Sequence, residues 1–172
     1  SDPHEWVGPC FRETRKSTSL EVRNEEGTQR RFFRTARGTL SAANRWDPGS
    51  RSWHPVEFPV KSRDDLPAMT AWYEDARIDV DEAAVERAEA RAAEIGQSAV
   101  IAAGMGTSPL MHLVEWLTGV EMAHVLLAEH RGEVEALFDA MQRNLLRMAE
   151  IQAAHSPADL IYSTENTSTT LI

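Results

Sequence analysis

Apolar side chains recur every second residue in the first third of the chain and every third or fourth residue thereafter. Residues 1–12 are punctuated by Pro and Gly, with Trp6, Cys10 and Phe11 as apolar anchors, and predict a docked loop. From Ser17 onward, Thr18, Leu20 and Val22 alternate with charged neighbours, the pattern of a half-buried strand, and Asn24-Glu25-Glu26-Gly27 predicts a turn. A second strand is expected over 28–35, and Ala36-Arg37-Gly38 turns into a third through Leu40, Ala42 and Trp46. Asp47-Pro48-Gly49-Ser50 is a turn leading to a short strand over 53–58, which Pro55 and Pro59 confine to a sheet edge. These elements make an antiparallel meander.

The period changes at Lys61-Ser62-Arg63-Asp64-Asp65. Ser62 is placed to cap a helix, with Asp64 and Asp65 in its first turn, and that helix runs to about Tyr73. Asp81 starts another, with Ala84, Val85, Ala88, Ala92 and Ile95 as its buried stripe and Gly96 as its stop. The apolar run 99–103 predicts a strand buried on both faces, as in parallel sheets. Ser108-Pro109 opens a helix to about Leu117, Thr118-Gly119 breaks it, and a further helix covers 120–129. After a second break at His130-Arg131-Gly132 comes a long amphipathic helix bearing Val134, Leu137, Phe138, Met141, Leu145, Met148 and Ala149 on one face. Residues 159–162 predict a second buried strand. The order β, α, α, α, β is one βα unit and the start of the next. The expected fold class is α/β, a fragment of a (β/α)8 TIM-type barrel with an antiparallel β-meander insertion, divided at 1–60 and 61–172. A closed barrel needs about 250 residues, so 172 residues ending just past a strand predict a cut through one barrel edge.

The formal net charge is -9, with the acid spread through the helices. That excludes nucleic acid and anionic membrane as expected partners, since both reward clustered Lys and Arg. The basic stretch 30–37 is an exception that suits a solvated strand face. One cysteine, Cys10, allows no intrachain disulfide and no Cys-based zinc site. Neither a membrane-length apolar run nor a leader pattern occurs in the sequence, which sets a cytoplasmic location as the expectation.

Candidate chemistry falls in two loops that follow predicted strands, the usual ligand edge of a parallel sheet. In Gly104-Met105-Gly106-Thr107-Ser108, the glycines allow close backbone approach and the helix start favours an anionic oxygen; the plainer reading is a tight turn. It is neither a Walker loop nor a dinucleotide fingerprint. His112, one helical turn on, is a candidate acid, base or donor, or else a histidine held by a carbonyl or by Glu115. In the second loop, Ser163, Glu165 and Asn166 suit a carboxylated substrate, an amide edge or a metal, against the alternative of a surface loop bonding its own backbone. His54, His124 and His130 are weaker candidates, and no His-x-x-x-His or His-x-Cys spacing forms a self-contained metal site. Trp46 and Trp53 are expected in the core rather than in a peptide-binding edge.

The stretch AGMGTSPLMHLVEWLTGVE, the helix HRGEVEALFDAMQRNLLRMAEI and the segment SPADLIYSTENTS, preceded by VEFPVKSRDDLPAM, together resemble the uroporphyrinogen decarboxylase superfamily over about 55–172. That superfamily holds haem-pathway (porphyrin biosynthesis) decarboxylases and corrinoid- or cobalamin-dependent methyltransferases on (β/α)8 barrels. The resemblance implies substrate binding by Gly104, Gly106, Thr107 and Ser108 and by Ser163, Glu165 and Asn166. It puts His112, as catalytic residue, at the place of the decarboxylases' substrate-binding tyrosine. It implies a lyase that decarboxylates a tetrapyrrole-type carboxylated substrate without a cofactor or metal. One alternative is corrinoid-dependent methyl transfer of a methylated compound, with zinc ligands beyond Ile172. Another is a non-catalytic binding fragment that associates through open barrel edges, as a homodimer or with the missing barrel segment. The chain departs from the decarboxylases in lacking their Pro-Trp turn, their Arg-Gln-Ala-Gly-Arg stretch and the early aspartate; the last two belong upstream of Ser1.

Overall fold

In the computed structural model, residues 4–165 are described. The chain is a mixed α/β structure that divides into two compact units, each with its own buried core. Contacts draw the division elsewhere than at residue 60. One unit gathers Ser1–Thr14, Arg77–Ser108 and Gln142–Leu171; the other gathers Arg15–Ala76 and Pro109–Met141.

The first unit is built on a parallel three-stranded sheet of β1 (His4–Trp6), β8 (Val100–Gly104) and β9 (Leu160–Tyr162), in the order β1-β8-β9. Trp6 pairs with Ala102, and Ala102 with Leu160. Alternation along the strands then sorts side chains by face. Ile101 and Ala103 lie on one face, in a core with Ala88 and Ile95 of α2 (Glu82–Ile95) and Ile151 of α5 (Arg131–His155). The other face carries Trp6, Val100 and Leu160, which are 45%, 49% and 53% exposed, together with Tyr162. Rings from the two outer strands meet above the middle one, Trp6 and Tyr162 lying edge-on with centroids 4.8 Å apart. Small residues on β8 allow this: a Cβ on Gly104 would stand 3.1 Å from the Tyr162 hydroxyl. The expectation of two strands buried on both faces is therefore corrected. Helices cover one face of the sheet, and much of the other is open.

The expected N-terminal loop is also corrected, since β1 joins the parallel sheet and β2 (Phe11–Thr14) pairs antiparallel with β7 (Arg77–Val80). Between β1 and β2, Cys10 is fully buried; its N–H donates to Gln152 Oε1 at 2.6 Å, and burial pushes its thiol pKa up. Asp81 caps α2 by accepting from the Ala84 N–H, and Gly96 ends that helix at φ 59°.

The second unit contains the meander, β3 (Ser19–Glu25), β4 (Thr28–Thr35), β5 (Gly38–Asp47) and β6 (Ser52–Glu57), paired in chain order. A bulge interrupts the β5–β6 register between Ala43 and Asn44. Trp46 and Trp53 form an exposed cross-strand pair, not the core residues expected. Behind one face lies α1 (Leu66–Glu74), whose Trp72 meets Phe33 edge-on at 5.0 Å. Asp65 holds the turn before it, accepting from the Lys61 and Ser62 N–H groups. At the other end of α1, the Asp75 carboxylate accepts from the N–H groups of Lys16, Ser17 and Thr18 and from the Thr18 hydroxyl, which lowers its pKa to about 2.

From Pro109 the chain is helical for ten residues, but only α3 (Pro109–His112) is α; Leu113–Thr118 is a π-helix. The Thr118 hydroxyl donates to Leu113 O, across the wide turn. Gly119, at φ 75°, ends it, and a Cβ there would lie 2.8 Å from the Phe58 ring. The Val60 N–H donates to Leu117 O at 2.9 Å, tying this helix to the segment that leaves the meander. After a bend of 120° comes α4 (Val120–Glu129), and α5 then starts at Arg131, so His130 interrupts the helices where three residues were expected to. Leu113, Leu117, Ala123, Leu126, Val134 and Leu137 join the core around Leu66 and Met69. No single helix among the described residues is long and apolar enough to cross a membrane.

Candidate functional site

The two loops singled out in the sequence lie side by side at the carboxyl ends of β8 and β9. Parallel pairing of Gly104 with Tyr162 aligns the strand ends, and the Met105 N–H donates to Tyr162 O at 3.0 Å. Beyond them the loops bond each other. Ser108 donates through its N–H to Glu165 Oε1 at 2.7 Å and through its hydroxyl to Glu165 Oε2 at 2.8 Å. Gly106 O accepts from the Ser163 hydroxyl at 2.9 Å and from the Thr164 N–H at 3.1 Å. Gly106 stands at φ 91°, a conformation that side chains other than glycine's disfavour, and this turn aims its carbonyl at the second loop. The structure thus brings Gly104, Gly106, Ser108, Ser163 and Glu165 together; Asn166 lies outside the described residues. Thr107, half-buried between Gly106 and Ser108, takes no part in these bonds.

Tyr162 carries no mark in the sequence that sets it apart as a site residue. Its place follows from strand parity, since it shares the open face with Trp6 and crosses over Gly104. With Thr107 it supplies hydroxyl donors at the paired loops, a chemistry suited to carboxylate oxygens.

His112 belongs to the other unit, where it lines a cavity of about 270 Å³ with Arg31, Asn44, Glu57 and Trp116. Its ring meets Tyr73 edge-on at 6.2 Å and makes no hydrogen bond among the described residues. The expected alternative, a ring held by a carbonyl or by Glu115, is not what forms. Burial pushes its pKa below the ordinary value, which keeps the imidazole neutral at pH 7. The lowered value means that His112 favours the folded state above about pH 6.5 and that this contribution is lost as pH falls through the folded-state pKa.

Around that cavity the electrostatics are uneven. Glu57 is engaged, accepting from Ser41 at 2.6 Å and pairing with Lys61 at 2.5 Å and Arg30 at 3.4 Å, which lowers its pKa. Arg31 donates to Gln29 Oε1 through Nε and Nη2 and forms no ion pair among the described residues. Nothing in the period-two pattern distinguishes Arg31 or Asn44 from other strand residues. Among the other histidines, His54 Nε2 bonds Ser50 and Ser52 on the meander surface, and His124 Nδ1 lies 2.9 Å from Val120 O. No three His, Cys, Asp or Glu side chains among the described residues group as metal ligands.

Set against known proteins, the chain matches no family model, no curated protein and no solved structure. Its functional reading therefore stands on its own residues and geometry.

Proposed function

We propose that this chain is part of a (β/α)-barrel enzyme of the uroporphyrinogen decarboxylase type, and that the paired loops after β8 and β9 bind a tetrapyrrole-type carboxylated substrate. One observation carries the reading. Three parallel strands in sequence order have helices against one face, an open apolar opposite face, and two polar loops bonded together at their carboxyl edge. A sheet covered by helices on one side only needs a second layer, and curling into a barrel supplies it from further strands. Ligands of barrel enzymes gather at the carboxyl edge.

In this reading the ring faces of Trp6 and Tyr162 take the apolar macrocycle, while the Thr107 and Tyr162 hydroxyls donate to its carboxylates. Glu165, pinned by two bonds from Ser108, fixes the distance between the loops. The reaction breaks the bond between a carboxyl group and the substrate carbon that bears it, releases CO2, and returns a proton to that carbon.

The test is titration of the intact protein with a uroporphyrin, the stable oxidised analogue, followed by Soret absorbance. Saturable binding weakened about tenfold by Tyr162→Phe or Thr107→Val is expected, the loss of one hydrogen bond to a charged group. Cobalamin binding without porphyrin binding would move the reading to methyl transfer, with zinc ligands supplied from outside the described residues. Binding of neither ligand removes both enzyme readings and leaves the associating fragment.

A further inference from the structure

We propose that the meander unit carries a ligand site of its own, the cavity bounded by Arg31, Asn44, His112 and Trp116, and that it takes a small aromatic monocarboxylate. This goes beyond the strand-end reading and uses no residue of the paired loops.

Hydrogen-bonding capacity is left unused around this cavity. Asn44 lines the cavity, and its carboxamide makes no hydrogen bond among the described residues. An amide that lines a cavity with its oxygen and its N–H groups uncommitted can bond an occupant. The Arg31 guanidinium is half-buried on the same cavity and uses Nε and Nη2 on a neutral amide, with no carboxylate to balance its charge among the described residues. His112 lines the same cavity, and its ring nitrogens make no hydrogen bond among the described residues.

Two backbone irregularities supply these walls. The β5–β6 register shifts beside Asn44, and bulges re-aim side chains near sites. Trp116 lies on the π-helix, a form that recurs at functional sites because its wider turn redirects side chains. Bulge and π-turn thus meet at one cavity.

Shape and charge narrow the ligand. At about 270 Å³ the space is smaller than a drug-sized pocket. Glu57 is already engaged by Lys61 and Arg30, which leaves the single Arg31 guanidinium on the lining to pair one carboxylate. Phe33 and Trp116 offer ring contact for a flat body, Trp116 being 43% exposed.

The probe is benzoate, titrated into the full chain at pH 7 and followed by tryptophan fluorescence and ligand saturation-transfer NMR. Saturable binding with a Kd of about 1 mM is expected for so small a ligand. Benzamide, and benzoate with Arg31→Gln, are each expected to bind about tenfold more weakly, the loss of a charge-assisted bond. Asn44→Leu weakens benzoate as well. Circular dichroism checks folding; if Arg31→Gln does not fold, the benzoate–benzamide comparison on the unaltered protein decides. Equal binding of benzoate and benzamide, preferential binding of inorganic phosphate, or no saturable benzoate binding overturns the site.

Discussion

The strand-end loops and the meander cavity hold similar side chains and use them in opposite ways. At the loops, polar groups are spent on one another: Ser108 satisfies Glu165 twice, and Gly106 O accepts from Ser163 and Thr164. In the cavity, an amide, a guanidinium and an imidazole line one space with capacity unused. The loops have the position expected of a ligand edge, while the cavity has the free chemistry. Position along a sheet and readiness to bind are separate properties, and a polar loop that satisfies itself is a scaffold first.

The largest effect is expected at the seam that holds the cavity's helical wall. Gly119→Val must place a β-branched side chain at φ 75° and against the Phe58 ring, and should cost about 2–4 kcal/mol in urea unfolding. Benzoate binding should vanish with it, while loss of the strand-end bonds, read by hydrogen exchange at Ser108, should not accompany mild destabilisation. Asn44→Leu comes next and has the opposite sign. Its amide bonds nothing among the described residues, so an apolar side chain there should stabilise by up to about 1 kcal/mol, seen as a higher urea midpoint; a loss of stability would mean that Asn44 is already satisfied. Ser108→Ala should destabilise by about 0.5–1 kcal/mol and speed amide exchange at residue 108, because the Glu165 bond to its hydroxyl is lost. If the two substitutions shift stability in the same direction, the contrast between loops and cavity fails.

The smallest effect is electrostatic. Asp75 titrates at about 2 in the folded protein, below its ordinary 3.8, because it accepts from the backbone at 16–18. A depressed carboxyl pKa stabilises the fold above the unfolded value and loses that contribution as pH falls. Acid titration should show a loss of stability between about pH 4 and pH 2 that Asp75→Asn abolishes.

Much of this architecture was legible in the sequence, for local reasons. The meander follows from alternation and turn residues, and the second strand expected over 28–35 forms as β4 (Thr28–Thr35). Asp81 and Gly96 bound α2 as their capping chemistry dictates. What escaped was set by distant partners. β2 and β7 are four residues each and pair across more than sixty residues of sequence, so neither carries a period of its own. The π-helix keeps a helix-like apolar pattern, and only its Thr118 and Gly119 ending hints at the wider turn. At the site, the loops were visible because glycine and serine punctuate strand ends. Arg31 and Asn44 were not, because a bulge and a helix from elsewhere in the sequence give them their role.

Cys10 gives the first unit a chemical clock. Its thiol has no exposed surface and a raised pKa, so a disulfide reagent reaches it only when the surrounding core opens. Because it is the single cysteine in the sequence, the labelling rate reports that opening alone. Four of the five tryptophans, Trp46, Trp53, Trp72 and Trp116, belong to the second unit, so tryptophan emission reports mainly on it. The protein therefore holds two native reporters, one chemical and one spectroscopic, able to tell whether its halves come apart together or in turn.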